Sequence, residues 1–141
     1  MEADEEGERW AASFEEVEKA RERLVDSFEE VEAARRALMA ALDDMGRQNR
    51  RFVEHLRGVQ PLVRLYDDGW TIDERDNLFA AMATFDRAFS RARGATVRLL
   101  VDQEGVSLSE VARMIGRSRQ FVTRLYRTVD IDDADAGSDA L

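Results

Sequence analysis

From Trp10 to Leu56, apolar side chains return at alternating steps of three and four residues. They are Trp10, Phe14, Val17, Leu24, Phe28, Val31, Leu38, Leu42, Met45, Phe52 and Leu56, with Arg21, Arg35 and Asn49 in the remaining places of the series. A 3.5-residue period sustained this far predicts a coiled-coil-like helix, roughly 70 Å long at 1.5 Å per residue. Residues 13–26 (SFEEVEKARERLVD) and 27–40 (SFEEVEAARRALMA) repeat one another, so Arg21 and Arg35 occupy equivalent positions. Their stems are expected to lie along the seam with the guanidinium groups in water. The alternative is a buried polar position that fixes register. Ser13 with Glu16 and Ser27 with Glu30 both fit a capping box. The seam passes through Ser27, which leaves Ser13 as the possible start and residues 1–12 as a frayed acidic lead.

Gly58 and Pro61 end this helix, because glycine favours the C-terminal cap and proline cannot continue the ladder. Residues 58–71 form a connector containing a turn of helix. Thr71 and Glu74 then offer a cap through which no periodic pattern runs. A second seam follows at Leu78, Met82, Phe85, Phe89, Ala92, Thr96 and Leu100, and its phase survives Gly94. It predicts one helix from about 72 to 104, closed by Gly105. Two long amphipathic helices with a short connector should fold back as an antiparallel hairpin. The second helix is the shorter, so residues near 10–25 should extend beside the C-terminal segment or against a second subunit. A stripe of Trp10, Phe14, Val17, Leu24 and Phe28 left without a cover would mark a contact, and dimerisation is the expected use.

Residues 107–127 (SLSEVARMIGRSRQFVTRLYR) change the pattern to two short helices. Ser107 and Glu110 form a capping box, Leu108, Val111, Ala112 and Ile115 share an inner face, and Gly116 stops the helix. Ser118 can cap a second helix whose Val122 and Leu125 face back. Phe121 and Tyr126 are left over, and are expected to pack near Leu99 and Leu100 or at a subunit interface. The segment resembles the helix-turn-helix of bacterial transcriptional regulators and of the promoter-reading region of sigma factors. The resemblance rests on small Ala112, turn residue Gly116 and apolar Val111, Ile115, Val122 and Leu125; Arg117 departs from the apolar residue common after the turn. It implies that the second helix enters the major groove. Arg119 would then suit guanine and Gln120 adenine, with Ser118, Thr123, Arg124, Arg127, Arg113 and Arg117 placed for phosphates.

Charge first opposes and then supports that expectation. The 141 residues carry a formal net charge of −9, which by itself argues against nucleic acid. The distribution is uneven. Residues 1–18 hold eight acids and one base, and residues 128–141 hold five aspartates and no base. Between 87 and 127 there are nine arginines against Asp102, Glu104 and Glu110. Asymmetry of this kind is more informative than the total. The 128–141 stretch is expected to be a disordered acidic tail, the alternative being an autoinhibitory mimic of phosphate.

Little in the sequence suggests catalysis. There is no Cys and only one His, which excludes disulfides, thiolate metal sites and most zinc chemistry. His55 lies beside the seam without a nucleophile for company. Adjacent acids at Asp43-Asp44, Asp67-Asp68 and Asp132-Asp133 lack the framing of an acid–base pair. No phosphate loop, signal peptide or membrane-length apolar run is present. The expectation is an all-α, cytoplasmic bacterial protein. It would have a long coiled-coil helix (1–57), a connector (58–71), a helix plus helix-turn-helix module (72–127) and an acidic tail (128–141). It would be a transcriptional regulator, a homodimer binding double-stranded DNA without cofactor, metal or enzyme activity, and no effector pocket is expected. The alternative is a coiled-coil adaptor whose helix-turn-helix docks another protein.

Overall fold

The computed structural model describes the backbone of residues 2–67 and 72–127, with the side chains of 13–67 and 75–127. Its elements are α1 (Glu2–Arg57), α2 (Val63–Asp67), α3 (Ile72–Arg98), a π-helical continuation of α3 over Leu99–Gln103, α4 (Leu108–Ile115) and α5 (119–127). The described residues include no strand, and none of their helices is long and apolar enough to cross a membrane. The expected cap at Thr71, the 128–141 tail and the side chain of Trp10 lie outside the described residues. Helix α1 begins at Glu2, not at Ser13. The chain divides into two units, Met1–Glu30 with Ala88–Leu141, and Val31–Arg87.

The seams differ from the expected ones in the same way in both units. On α1, Val17, Leu24, Val31 and Leu38 are half-buried as the periodicity requires. Their companions are Ala20, Ser27, Ala34 and Ala41, whereas Phe14 and Phe28 stay 67% and 49% exposed. On α3, Ala81 is half-buried and Ala88 buried, while Met82 and Phe89 are exposed. The spacing of packed helices depends on the side chains at the contact. Alanine and serine lines permit a closer approach than phenylalanine lines, and the large side chains rotate to the outside. Arg21 and Arg35 therefore leave the seam. Arg21 reaches Glu104 at 4.0 Å, and Arg35 donates to Glu32 and to the Met39 sulfur.

In the Val31–Arg87 unit, the end of α1 is closed by local hydrogen bonds. The Gly58 N–H donates to the carbonyls of Glu54 and His55, each at 3.1 Å. The His55 Nε2–H donates to the Pro61 carbonyl at 3.0 Å, so the lone imidazole has a structural partner. Turn bonds from Arg64 to Pro61 and from Leu65 to Leu62 start α2.

In the other unit, Val97, Val111, Ala112 and Val122 form a small buried core. Leu100, Val101, Val106, Leu108, Phe121, Leu125 and Tyr126 pack around it. Phe121 and Tyr126 thus take the first of their two expected places, against the preceding helix. Ile115 does not join them and remains 43% exposed, contrary to the expected inner face. It is the last residue of α4, and the chain reverses at Gly116 before a neighbour can cover it. Arg91 meets Glu30 of α1 at 3.6 Å in the same unit.

Candidate nucleic-acid interface

The α4–α5 segment is shaped by caps that the sequence already carries. Ser107 has extended backbone angles (φ −69°, ψ 152°), and its hydroxyl accepts from the Glu110 N–H at 3.2 Å. This satisfies one of the unpaired donors at the start of α4. Gly116 sits in the left-handed region (φ 65°, ψ 35°). Its N–H donates to Ala112 and Arg113, and the Arg117 N–H donates to the Ala112 carbonyl at 3.0 Å. A side chain is strained at such a φ, which accounts for glycine there. Ser118 then caps α5, its hydroxyl accepting from the Phe121 N–H at 3.2 Å.

Alternation on α5 separates its two faces. Phe121, Val122, Leu125 and Tyr126 are buried or half-buried. Arg119, Gln120, Arg124 and Arg127 are exposed, with Thr123 half-buried between them. The Thr123 hydroxyl donates back to the Arg119 carbonyl at 2.8 Å. No acidic residue lies within 119–127. The exposed face therefore holds three guanidinium groups, an amide and a hydroxyl.

Several expected phosphate contacts already have other partners. Arg117 places its guanidinium 5.1 Å from the Phe121 ring centroid. Arg93 of α3 approaches the same ring at 5.0 Å, so one aromatic side chain is held by two cations. Arg113 is paired with Glu110 at 2.8 Å, which offsets part of its charge. Ser118 serves as a cap. Arg119, Gln120, Arg124 and Arg127 are the expected residues brought together on one exposed surface.

A second group, not foreseen from the sequence, anchors α5 to the end of α3. The Arg98 Nε–H donates to the Tyr126 carbonyl at 3.1 Å, and its guanidinium lies 4.8 Å from the Tyr126 ring centroid. The Tyr126 hydroxyl donates to Asp102 at 2.7 Å. Arg98 precedes, and Asp102 lies within, the π-helical stretch Leu99–Gln103, where the Glu104 N–H returns to the Leu99 carbonyl at 3.2 Å. Widening the turn changes the direction in which the following side chains project. The excess of arginine in this part of the chain was the available signal; the π turn has none in the residue pattern.

An open groove of about 450 Å³, not legible in the sequence, lies beside this anchor. Its walls include Arg23, Asp26 and Glu30 on one side and Arg91, Arg98 and Asp102 on the other. The charges balance, which does not favour an anion over a cation. No group of His, Cys, Asp and Glu able to hold a metal ion occurs among the described residues. Comparison with family models, curated proteins and solved structures finds no match for this chain.

Proposed function

We propose that this chain is a DNA-binding transcriptional regulator that reads double-stranded DNA with α5. In this reading α4, the Gly116 turn and α5 act as a helix-turn-helix, with α5 in the major groove. The observation that carries it is the sorting of α5, with apolar residues inward and Arg119, Gln120, Arg124 and Arg127 outward without an acid among them. Arg119 and Gln120 stand at the start of the helix, where base edges are met. Arginine suits guanine O6 and N7, and glutamine suits adenine N6 and N7. Arg124 and Arg127, with Arg113 at the flank, are the phosphate contacts.

Within the unit that carries this module, α1 and α3 run antiparallel, a reading supported by the Arg21–Glu104 and Glu30–Arg91 pairs. Helix α1 pairs with a second copy, so that two modules read two half-sites. The contact expected at Trp10, Phe14, Val17, Leu24 and Phe28 is narrowed, because Val17 and Leu24 are half-buried within the chain itself. The setting is the bacterial cytoplasm, and the activity requires neither cofactor nor catalysis.

Fluorescence anisotropy on genomic fragments at two salt concentrations tests the reading. Binding should weaken steeply with salt, because phosphate contacts release counterions, and Arg119→Ala should weaken it further. Binding that ignores salt, or no binding by the intact chain, would sink it.

A further inference from the structure

Rotation of the α1 seam onto its alanines leaves a second apolar line on the same helix. In the Val31–Arg87 unit this line consists of Met39, Leu42, Met45, Val53 and Leu56, all between 38% and 56% exposed. Monomeric proteins rarely leave large contiguous apolar patches in water. Gly46 and Asn49 interrupt the line near its middle. A Cβ added to Gly46 would meet nothing within 4 Å, so the packing of the chain itself does not call for glycine there. An interior helical glycine is nonetheless destabilising relative to alanine. A neighbour approaching from outside would supply the missing reason.

We infer that this line is the contact with a second copy of the chain, the two α1 helices running antiparallel about a two-fold axis between Gly46 and Asn49. A two-fold axis requires the surface to complement itself, and the residue pattern does so. With Gly46 opposite Asn49 of the second copy, Leu42 falls opposite Val53 and Met39 opposite Leu56. Those four apolar residues meet one another, Met45 falls beside the stem of Arg50, and the one polar seam residue faces the one gap. Charge follows the same symmetry. Asp43 flanks the line on the same side as Arg50 of the second copy, two residues or about 3 Å from level with it, a pairing the axis generates twice. Arg36 lies near Arg57 of the second copy, a like-charge approach that Glu32 offsets only in part, because it pairs with Arg35 as well as with Arg36 at 3.5 Å. A single asparagine in an apolar seam is a known means of fixing register and partner number. Two such lines in contact bury on the order of 1,000 Å², the size at which specific interfaces begin.

This contact takes the place of the Phe14 and Phe28 stripe as the dimer of the proposed function, does not rest on its DNA binding, and is tested without DNA. Sedimentation equilibrium of the full chain should give a dimer. Leu42→Glu should weaken it at least about tenfold, and so should Gly46→Leu, which fills the gap facing Asn49. Circular dichroism should report no loss of helicity for Gly46→Leu, since a Cβ at this position meets nothing within 4 Å in the monomer and leucine favours helix over glycine. The natural chain has no cysteine, so engineered thiols report direction cleanly. Gly46→Cys with Asn49→Cys, and Met39→Cys with Leu56→Cys, should each form a disulfide-linked dimer, and Leu56→Cys alone should not. A monomeric parent, a dimer indifferent to both Leu42→Glu and Gly46→Leu, or a self-linked Leu56→Cys would each overturn the assignment.

Discussion

The hydroxyl of Tyr126 donates to the carboxylate of Asp102 at 2.7 Å, joining the last described turn of α5 to the π-helical end of α3. Arg98 holds the carbonyl of the same tyrosine at 3.1 Å, so both ends of the residue are fixed. Orientation of the exposed α5 face thus depends on groups outside the two short helices.

Removing only the hydroxyl isolates that dependence. Tyr126→Phe keeps the ring and its contact with Arg98 but loses the bond to Asp102. The pair is exposed, which places the cost near the low end for hydrogen bonds, about 0.5–1 kcal/mol. Chemical denaturation should show a lower midpoint with an unchanged slope. An unaltered midpoint would mean that the contact does not contribute.

The core beneath α4 and α5 is small, and each member matters. Val111 and Val122 are fully buried. Val122→Ala removes two methyl groups where few neighbours can collapse, and should cost about 2 kcal/mol. The loss should appear as a lower thermal midpoint, together with weaker DNA binding at temperatures where the wild type remains folded.

Gly116 is constrained by its backbone and not by its surroundings. Nothing lies within 4 Å of an added Cβ, but φ is +65°. Gly116→Ala should therefore destabilise by about 1–2 kcal/mol through strain alone. Gly46→Ala should do the reverse in the monomer, because that glycine is helical and its Cβ position is open. Thermal melts of the two variants should move in opposite directions under conditions where the chain is monomeric.

These elements also mark what could be read from the sequence. The caps at Ser107 and Ser118 and the turn at Gly116 follow from local chemistry that needs no distant partner. The long helices follow from their 3.5-residue period. The period did not fix which of two adjacent lines is buried. Hydrophobicity favoured Phe14 and Phe28, whereas close helix approach favours Ala20 and Ser27. The surroundings of Arg117 were hidden for a related reason. Its charge is legible in the sequence, but the ring of Phe121 beneath its guanidinium is a tertiary fact.

Acid should weaken the middle of α1 through one pair. Hydrogen bonds from Arg35 hold the Glu32 carboxyl below its ordinary pKa, and Arg35 is raised in return. A lowered folded pKa means stabilisation present above the ordinary glutamate range and lost as pH falls through the folded value. The pair is solvent-exposed, so the effect is small. Glu32→Gln should lower the thermal midpoint at neutral pH, and the difference from wild type should shrink as pH falls through the folded value. A difference that persists in acid would show that the charge of Glu32 is not its source.

Under the proposed function, Arg117 and Arg124 separate holding the fold from holding DNA. Arg117 sits over Phe121, where a cation–π contact at an exposed site contributes about 0.5–1 kcal/mol. Arg124 lies on the outward face of α5. Arg117→Ala should lower stability by about that amount and leave the dependence of DNA affinity on salt nearly unchanged. Arg124→Ala should reduce the slope of log affinity against log salt by about one. The two effects are read by different instruments, a denaturation curve and a salt series, so neither can stand in for the other. An exchange of the two outcomes would place Arg117 on the phosphates and remove Arg124 from them.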